Sequence, residues 1–263
     1  MFPNELLPGI DMYLIMLCLA AFAAILVFRM FADKLKIGAK LQNFCMINAV
    51  LSIIIGYYSA VLFQAFYNIA ENGGFVINKN TGATFYGGLI GGAGFFLAVY
   101  FVAGSFLFKD TKEHIKRFWS VADIAAACIS IAHSLGRVGC LMAGCCHGAQ
   151  TDAWYGIYMS AVGCKVVPIQ LYEAIFLALI FVFFAFRIYH KKTYSLPIYM
   201  GAYGVWRFFI EYARDDYRGQ TFIKALTPSQ LTAILMVMGA IILFVIQRKL
   251  LNRKAESSDD AQS

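Results

Sequence analysis

Charged side chains are scarce in this chain of 263 residues, where Asp, Glu, Lys and Arg together make up only 14%. Soluble domains carry about 25%, so this scarcity excludes an ordinary water-soluble enzyme. The formal net charge of +7 does not indicate nucleic-acid binding, because no soluble domain is available to present a basic patch with aromatic readers. Internal repeats are lacking too. The first nine residues contain no Lys or Arg, so we expect no cleavable signal peptide.

Long apolar runs are what the chain has instead, with 60% hydrophobic and 16% aromatic residues. Seven of them have roughly the 20 residues that an α-helix needs to cross a bilayer, and the sixth is the weakest because it contains Arg207 and Glu211. The runs are 12–28, 44–69, 86–108, 122–141, 168–188, 196–212 and 230–246. The sequence therefore predicts an all-α integral membrane protein with seven transmembrane helices in a single domain over residues 1–250. We expect four polar residues inside the runs to form hydrogen bonds between helices: Asn48, Gln64, Asp123 and His133.

The distribution of basic residues predicts the orientation. Of the 22 Lys and Arg residues, 15 follow the first, third, fifth and seventh runs. The positive-inside rule then predicts an N-terminus outside and a C-terminus in the cytoplasm. Outer loops are expected over 71–84 and 214–229, and residues 145–167 are predicted to form a small extracytoplasmic head with a strand or hairpin around 154–159. Residues 251–263 are predicted to be a polar cytoplasmic tail, disordered from residue 256 onward.

The third run opens with two interleaved pairs of glycines. Gly87 and Gly91, and likewise Gly88 and Gly92, lie four residues apart, a spacing that lets two membrane helices approach closely. Two interpretations stay open: the glycines pack against a neighbouring helix, or they form a wall that leaves room for a lipid headgroup beside Tyr86.

Arg137 lies at the outer end of the fourth run, between Gly136 and Gly139. A guanidinium at membrane depth costs roughly 3 kcal/mol on insertion scales, so such a residue indicates a functional site. Its planar donors suit a phosphate, and the flanking glycines allow a ligand to approach. The alternative is an arginine that extends to the membrane interface. We interpret Arg137 as an anion-binding residue.

The sixth run places Tyr203, Arg207 and Glu211 along one helical face, because side chains four residues apart are neighbours on a helix. Arg207 and Glu211 either neutralise each other or form a second anion site. Two arginines on different helices would act as an electrostatic clamp on a leaving phosphate. Gln170 and Glu173 lie in the first turns of the fifth run, where an acid often does no more than stabilise the helix end.

Four of the seven cysteines, Cys140, Cys145, Cys146 and Cys164, are expected on the outer side, where disulfides persist. Cys145 or Cys146 is expected to pair with Cys164. The spacing of Cys140, Cys145 and Cys146 matches no common zinc pattern, so the sequence predicts no metal site.

These residues, in this order, resemble the prolipoprotein diacylglyceryl transferase family over nearly the whole chain. The motifs that carry the resemblance are Gly87-Gly88-Leu89-Ile90-Gly91, Gly136-Arg137-x-Gly139 with Gly144 and Gly148, Pro168-x-Gln170-Leu171-Tyr172-Glu173, Tyr203-Gly204-x-x-Arg207-Phe208-x-x-Glu211-x-x-Arg214, and Ser229-Gln230.

The resemblance implies a multi-pass enzyme of the bacterial plasma membrane with its site open to the outer leaflet. Such an enzyme transfers the diacylglyceryl group of phosphatidylglycerol to the lipobox cysteine of a preprolipoprotein, releases glycerol 1-phosphate, and requires neither a metal nor a bound cofactor. It implies that Arg137 binds the lipid phosphate and that Arg207 stabilises charge at the scissile bond. The implied catalytic residues are Arg207, Tyr86 and Glu211. The implied substrate-binding residues are Arg137, Tyr203, Gly87, Gly88, Gln170 and Arg214.

Three positions depart from the family pattern. Members commonly have His where this chain has Tyr86, Asn at Cys140 and an acid at Cys145. A tyrosine of pKa ~10 is a poorer base near neutral pH than an imidazole of pKa ~6.5, so Tyr86 is assigned an orienting or hydrogen-bonding role. The alternatives are a paralogue with the same lipid donor and a different acceptor, or a non-catalytic lipid-binding membrane protein.

Overall fold

The computed structural model of the protein describes residues 11–69, 74–78, 81–214 and 226–259, without the side chains of residues 85, 86 and 254–259. The two predicted outer loops, 71–84 and 214–229, therefore lie partly outside the described residues. In the described part, seven α-helices, one short 3-10 helix and one two-stranded sheet follow one another along the chain. They are α1 (Met12–Lys34), α2 (Ala39–Tyr67), α3 (Phe85–Leu107), α4 (Glu113–Ala143), β1 (Ile157–Met159), β2 (Cys164–Val166), α5 (Ile169–Tyr189), α6 (Ser195–Ile210), the 3-10 helix (Glu211–Ala213) and α7 (Pro228–Asp259).

Six of these helices, α1 to α5 and α7, are long and apolar enough to cross a membrane. Large apolar side chains are exposed along them, among them Phe22, Ile53, Phe106 and Leu179, as expected for surfaces that face lipid rather than water. The remaining predicted span, the sixth, corresponds to α6, which has 16 residues and so reaches only about 24 Å. That is short of the roughly 30 Å hydrocarbon core. The chain is thus an all-helical integral membrane protein with six clear candidate spans.

The helices extend beyond the apolar runs because charged residues at their ends are good helix formers. α4, for example, begins at Glu113, nine residues before the predicted run. The same effect corrects the prediction for the tail: α7 continues to Asp259, so residues 256–259 are helical. Asp11 fixes the start of α1, where its side chain accepts a hydrogen bond of 2.7 Å from the Leu14 amide, as N-cap residues do.

The predicted hairpin is confirmed. β1 and β2 pair in antiparallel register, with Ile157 opposite Val166 and Met159 opposite Cys164. Gly163, with a φ of 76°, supplies the left-handed turn that precedes β2, a conformation that glycine adopts at little cost.

The chain divides into two compact units, and the single membrane domain over residues 1–250 stays a prediction. One unit combines Met1–Leu35 with Trp119–Ser263, and the other is Lys36–Phe118. We call them the arginine unit and the glycine unit.

In the glycine unit, α2 and α3 pack tightly along each other. A Cβ atom on Gly87 would lie 2.5 Å from Phe63 Cβ, and one on Gly92 would lie 3.1 Å from the Ser52 carbonyl oxygen. Asn48 donates a hydrogen bond of 2.9 Å to the Phe96 carbonyl, which confirms its expected role between helices. The structure thus shows the packing interpretation of these glycines, and a role for Gly87 and Gly88 at a lipid headgroup stays a prediction.

In the arginine unit, contacts with α4 and with α7 fix the position of α6. The Asp123 carboxylate of α4 accepts a hydrogen bond of 2.6 Å from the Ser195 amide at the start of α6, which confirms Asp123 as a partner between helices. Farther along, a Cβ on Gly204 would lie only 2.8 Å from Val237 Cγ2 and 3.0 Å from the Ala233 carbonyl. Because glycine has no side chain, α6 lies directly against α7 at this level.

Candidate active site

A buried carboxylate, Glu173, organises the polar interior of the arginine unit. Its Oε2 lies 2.9 Å from Nε of Arg137, and the Glu173 side chain is completely buried while that of Arg137 is 18% exposed. Tyr203 donates a hydrogen bond of 2.7 Å to the other oxygen, Oε1, and Nε2 of His133 lies 3.7 Å from the same atom. A buried carboxylate is stable only with such partners, so α4, α5 and α6 each contribute to one connected polar group.

Aromatic rings form one side of this group. The rings of Tyr199 and Tyr203 stack with an interplanar angle of 5° and centroids 5.9 Å apart. The His133 ring meets Tyr203 edge to face at 4.9 Å, and its Nδ1 lies 3.5 Å from the Tyr199 hydroxyl. The rings hold the imidazole and the phenol in fixed orientations, because offset and edge-to-face pairs are the favoured arrangements. His133 thus meets the expectation of a polar contact between helices.

A second ion pair lies one turn farther along α6. Arg207 Nη2 is 2.8 Å from Glu211 Oε2, with side chains 11% and 4% exposed, which confirms the predicted pair. Nη2 also donates to Ser229 Oγ at 2.9 Å, and Thr227 donates to Glu211 Oε1 at 3.2 Å. Ser229 and Thr227 belong to the start of α7, so the pair joins α6 to α7.

Arg207 has one buried donor without a partner. Its Nη1 is buried and forms no hydrogen bond within the described part of the chain. A buried donor without a partner costs about 1–3 kcal/mol, so an acceptor placed beside Nη1 would be bound favourably. Arg137 and Arg207 both act electrostatically on His133 and on Glu173, so the two cations share one polar region.

The loop after α4 is fixed to this region by hydrogen bonds. Gln170, fully buried in the first turn of α5, donates to the Cys145 carbonyl at 2.8 Å. Arg214 Nη1 donates to the Cys146 carbonyl at 3.4 Å. Gly148 has no room for a side chain, since a Cβ there would lie 2.6 Å from the Ala213 carbonyl. In the structure Gln170 and Arg214 position this loop.

Three thiols lie close together where α4 ends: that of Cys140 in the last turn of the helix, and those of Cys145 and Cys146 in the loop that follows. The Sγ atoms of Cys140, Cys145 and Cys146 all lie within 4.8 Å of one another. Hydrogen bonds from the Cys140 and Cys145 thiols, helped by the positive charges of Arg137 and Arg214, hold the pKa of Cys146 well below its usual range. All seven cysteines are free thiols, so the expected disulfide with Cys164 is wrong in this structure.

Of the residues predicted for the site, six lie in the arginine unit. They are Arg137, Gln170, Tyr203, Arg207, Glu211 and Arg214. Gly87 and Gly88 belong to the glycine unit, and the side chain of Tyr86 lies outside the described residues.

Sequence reasoning undervalued Glu173 and passed over Tyr199, Thr227 and Ser229 as site residues. A usable signal existed for Glu173, because an acid inside an apolar run needs a cationic partner. No comparable signal marks Tyr199 or Thr227, since Tyr and Thr are common in membrane helices without a site. Ser229 was named only within the Ser229-Gln230 motif, without a role at the site.

The fold and site define a class: an integral membrane protein with two buried arginine–carboxylate pairs on neighbouring helices. Within that class, the chain belongs to the prolipoprotein diacylglyceryl transferase family, whose model matches residues 6–246.

Individual proteins with the corresponding name are also similar to this chain in sequence. The chain is 33% identical over 184 residues to phosphatidylglycerol–prolipoprotein diacylglyceryl transferase 2 of Clostridium perfringens (strain 13 / Type A), which covers 66% of this chain and 65% of that protein. It is 28% identical over 225 residues to the phosphatidylglycerol–prolipoprotein diacylglyceryl transferase of Finegoldia magna, covering 80% of this chain and 83% of the relative. A similar transferase of Clostridium tetani is 28% identical over 191 residues, covering 69% of this chain and 70% of the relative. The chain thus spans about two thirds of the length of the first of these proteins.

Proposed function

We propose that this chain transfers the diacylglyceryl group of phosphatidylglycerol to the cysteine thiol of a preprolipoprotein and releases glycerol 1-phosphate. The observation that carries the proposal is the pair of buried arginines, each held by its own glutamate, with one Arg207 donor left unsatisfied. Family membership and the activity for which the relatives are named support it.

In this reaction, negative charge develops on the phosphate group that the arginines are proposed to bind. The acceptor thiol loses a proton, its sulfur attacks the glyceryl carbon, and the carbon–oxygen bond breaks with its electron pair remaining on the phosphate. A second negative charge therefore develops on the leaving phosphate. Preorganised cations in a site of low dielectric constant stabilise such a charge more than water does.

The roles divide between the two ion pairs. Arg137 binds the lipid phosphate, and Glu173 with the Tyr203 hydroxyl holds the guanidinium in place. Arg207 stabilises the charge that develops during cleavage, held by Glu211 and Ser229. Tyr86 is proposed as an orienting group, and Gln170 and Arg214 as residues that position the loop after α4.

The proposal also covers the location of the protein and its orientation in the membrane. We propose a multi-pass protein of the bacterial plasma membrane, with seven membrane-embedded helices, the N-terminus outside and the C-terminus in the cytoplasm. The site then faces the outer leaflet, and the β1–β2 hairpin belongs to a small extracytoplasmic head. The basic residues after α1, α3, α5 and α7 support this orientation.

The test is a transfer assay in liposomes. Purified protein, phosphatidylglycerol and a lipobox peptide are incubated, and the peptide mass is followed. We expect the mass of one diacylglyceryl group to be added, and the Arg137→Ala protein to lose this activity. Arg117→Ala is the matched control, because Arg117 lies at the other end of the same helix, α4, where it donates a hydrogen bond of 3.4 Å to the Lys36 carbonyl. Phosphatidylglycerol consumption without a mass gain would instead indicate a different acceptor.

A further inference from the structure

The cluster of Cys140, Cys145 and Cys146 has no part in the function proposed above. Cys140 belongs to the last turn of α4, and the other two follow the end of that helix. Each offers one sulfur, and the three Sγ atoms lie within 4.8 Å of one another. Cys164, on β2 of the neighbouring hairpin, does not belong to this group.

The backbone after α4 is folded in a way that brings these sulfurs together. Gly144 has a φ of 72°, and Cys146 has a φ of 59° although it is not a glycine. A non-glycine residue in the left-handed region is sterically unfavourable and persists only where the surroundings impose it. Here the Cys145 amide bonds to the Cys140 carbonyl at 3.1 Å, and Gln170 holds the Cys145 carbonyl at 2.8 Å.

Three thiolates are the ligands of a soft or borderline metal ion. Zinc–sulfur bonds of about 2.3 Å place the sulfurs of a tetrahedral site roughly 3.8 Å apart, so the cluster needs to contract by about 1 Å at most. Three protein ligands leave the fourth position open, the arrangement of a catalytic rather than a structural zinc site. The donor set excludes hard cations such as Mg²⁺ and Ca²⁺.

Charge around the cluster also favours an anionic metal–thiolate complex. Zn²⁺ with three thiolates carries one net negative charge, and Cys146 lies within electrostatic range of Arg137 and Arg214. Arg214 additionally donates to the Cys146 carbonyl. Arg137 and Cys140 lie three residues apart on α4, and therefore on one face of that helix. Cys140 thus lies on the same face of α4 as Arg137, the residue proposed above to bind the lipid phosphate.

We propose that Cys140, Cys145 and Cys146 bind Zn²⁺ as thiolates, releasing their three protons to water, and that its open position binds the acceptor thiol. The second half of this inference rests on the function proposed above. When the acceptor thiol binds, its proton passes to water and its sulfur becomes a zinc-bound thiolate. That sulfur then attacks the glyceryl carbon, the carbon–oxygen bond breaks onto the phosphate, and the zinc stays Zn²⁺ throughout. The metal, rather than a side-chain base, lowers the cost of thiol ionisation.

Metal binding is measured first, on the full-length protein in lipid nanodiscs. Zinc content is determined by mass spectrometry of the metal, and Co²⁺ substitution reports thiolate ligation through sulfur-to-cobalt charge-transfer absorption. We expect one Zn²⁺ per chain in the unaltered protein and in the matched control Cys164→Ser. Cys140→Ser, Cys145→Ser and Cys146→Ser are each expected to lose the charge-transfer band and most of the zinc, while elution volume and phosphatidylglycerol binding stay unchanged.

Adding a lipobox peptide separates the two parts of the argument. The cobalt spectrum is expected to change when the peptide thiol binds, and not when its cysteine is replaced by serine. Chelation is expected to lower transfer by more than tenfold, and Zn²⁺ to restore it. Zinc and thiol binding without any transfer would overturn the proposed function and leave the metal site standing. Equal transfer by chelated protein and by the three serine variants would overturn the zinc inference and leave the transferase standing. A native disulfide within the cluster, with no bound metal, would overturn it as well.

Discussion

Arg137 on α4 and Glu173 on α5 meet at 2.9 Å, with the carboxylate completely buried. Removing one partner of a buried pair leaves an uncompensated charge, which costs about 3–5 kcal/mol. We expect Glu173→Gln to lower the free energy of unfolding by about 3 kcal/mol and to abolish transfer. Thermal unfolding in detergent and the liposome assay measure the two effects.

The double variant Arg137→Gln/Glu173→Gln is the control for this first prediction. It removes both charges, so we expect it to regain part of the stability but none of the activity. If the stability lost by the double variant equalled the sum of the losses in Arg137→Gln and Glu173→Gln, the two side chains would not be coupled as their distance indicates.

Tyr203→Phe removes the hydroxyl that donates to Glu173 at 2.7 Å and keeps the ring that stacks on Tyr199. A hydrogen bond to a charged group contributes about 1.5–3 kcal/mol, so we expect transfer to fall by about 10- to 100-fold. Tyr199→Phe is the matched variant, because its hydroxyl contacts His133 only at 3.5 Å. Initial rates of peptide modification measure both, and equal losses in the two variants would contradict the assigned role of the Glu173 contact.

Arg207→Lys keeps the positive charge and removes the planar set of donors that reaches Glu211 and Ser229. A lysine ammonium cannot reproduce this geometry. We expect kcat to fall on the order of 100-fold, with a smaller change in KM, because Arg207 acts on charge that develops during cleavage. Ser229→Ala, which removes one neutral contact, is expected to lose less than tenfold. A change confined to KM would assign Arg207 to binding instead.

Gly204→Ala tests whether α6 must lie directly against α7. The added Cβ would be 2.8 Å from Val237 Cγ2 and 3.0 Å from the Ala233 carbonyl, so the helices must separate, at a cost of about 1–3 kcal/mol. This shift would move Arg207 away from Ser229, and we expect lower stability and activity together. Gly201→Ala is the control on the same helix, because its Cβ would meet Ala240 Cβ at an ordinary 3.7 Å. Unfolding temperatures of the two variants distinguish them, and equal temperatures would contradict the close-packing argument.

Features that depend on local geometry are the ones that sequence reasoning predicted correctly. The Arg207–Glu211 pair follows from the spacing of neighbours on one helix, and the structure contains it. The hairpin followed from the glycine and polar residues of a short segment, which favour turns. The glycine pairs of α3 predicted a close helix contact, although the sequence did not decide between packing and lipid binding.

Contacts between distant segments could not be predicted in the same way. From its position in the sequence, Glu173 could equally have done no more than stabilise a helix end. Only the packing of α4, α5 and α6 places it beside Arg137, His133 and Tyr203. The cysteines were expected to pair across the outer segment with Cys164. Instead the left-handed conformations of Gly144 and Cys146 turn the chain so that the thiols of Cys140, Cys145 and Cys146 face one another.

The sequence by itself determined that this is a helical membrane protein, where its helices lie, and which arginines are too costly at membrane depth to be incidental. Hydrophobicity and helical spacing are properties of short segments, so they can be read without knowing the fold. Only the tertiary structure decided that Glu173 holds Arg137 and which thiols meet. Those partners lie on different helices or across a reversed loop, where side-chain packing and backbone conformation set the distances.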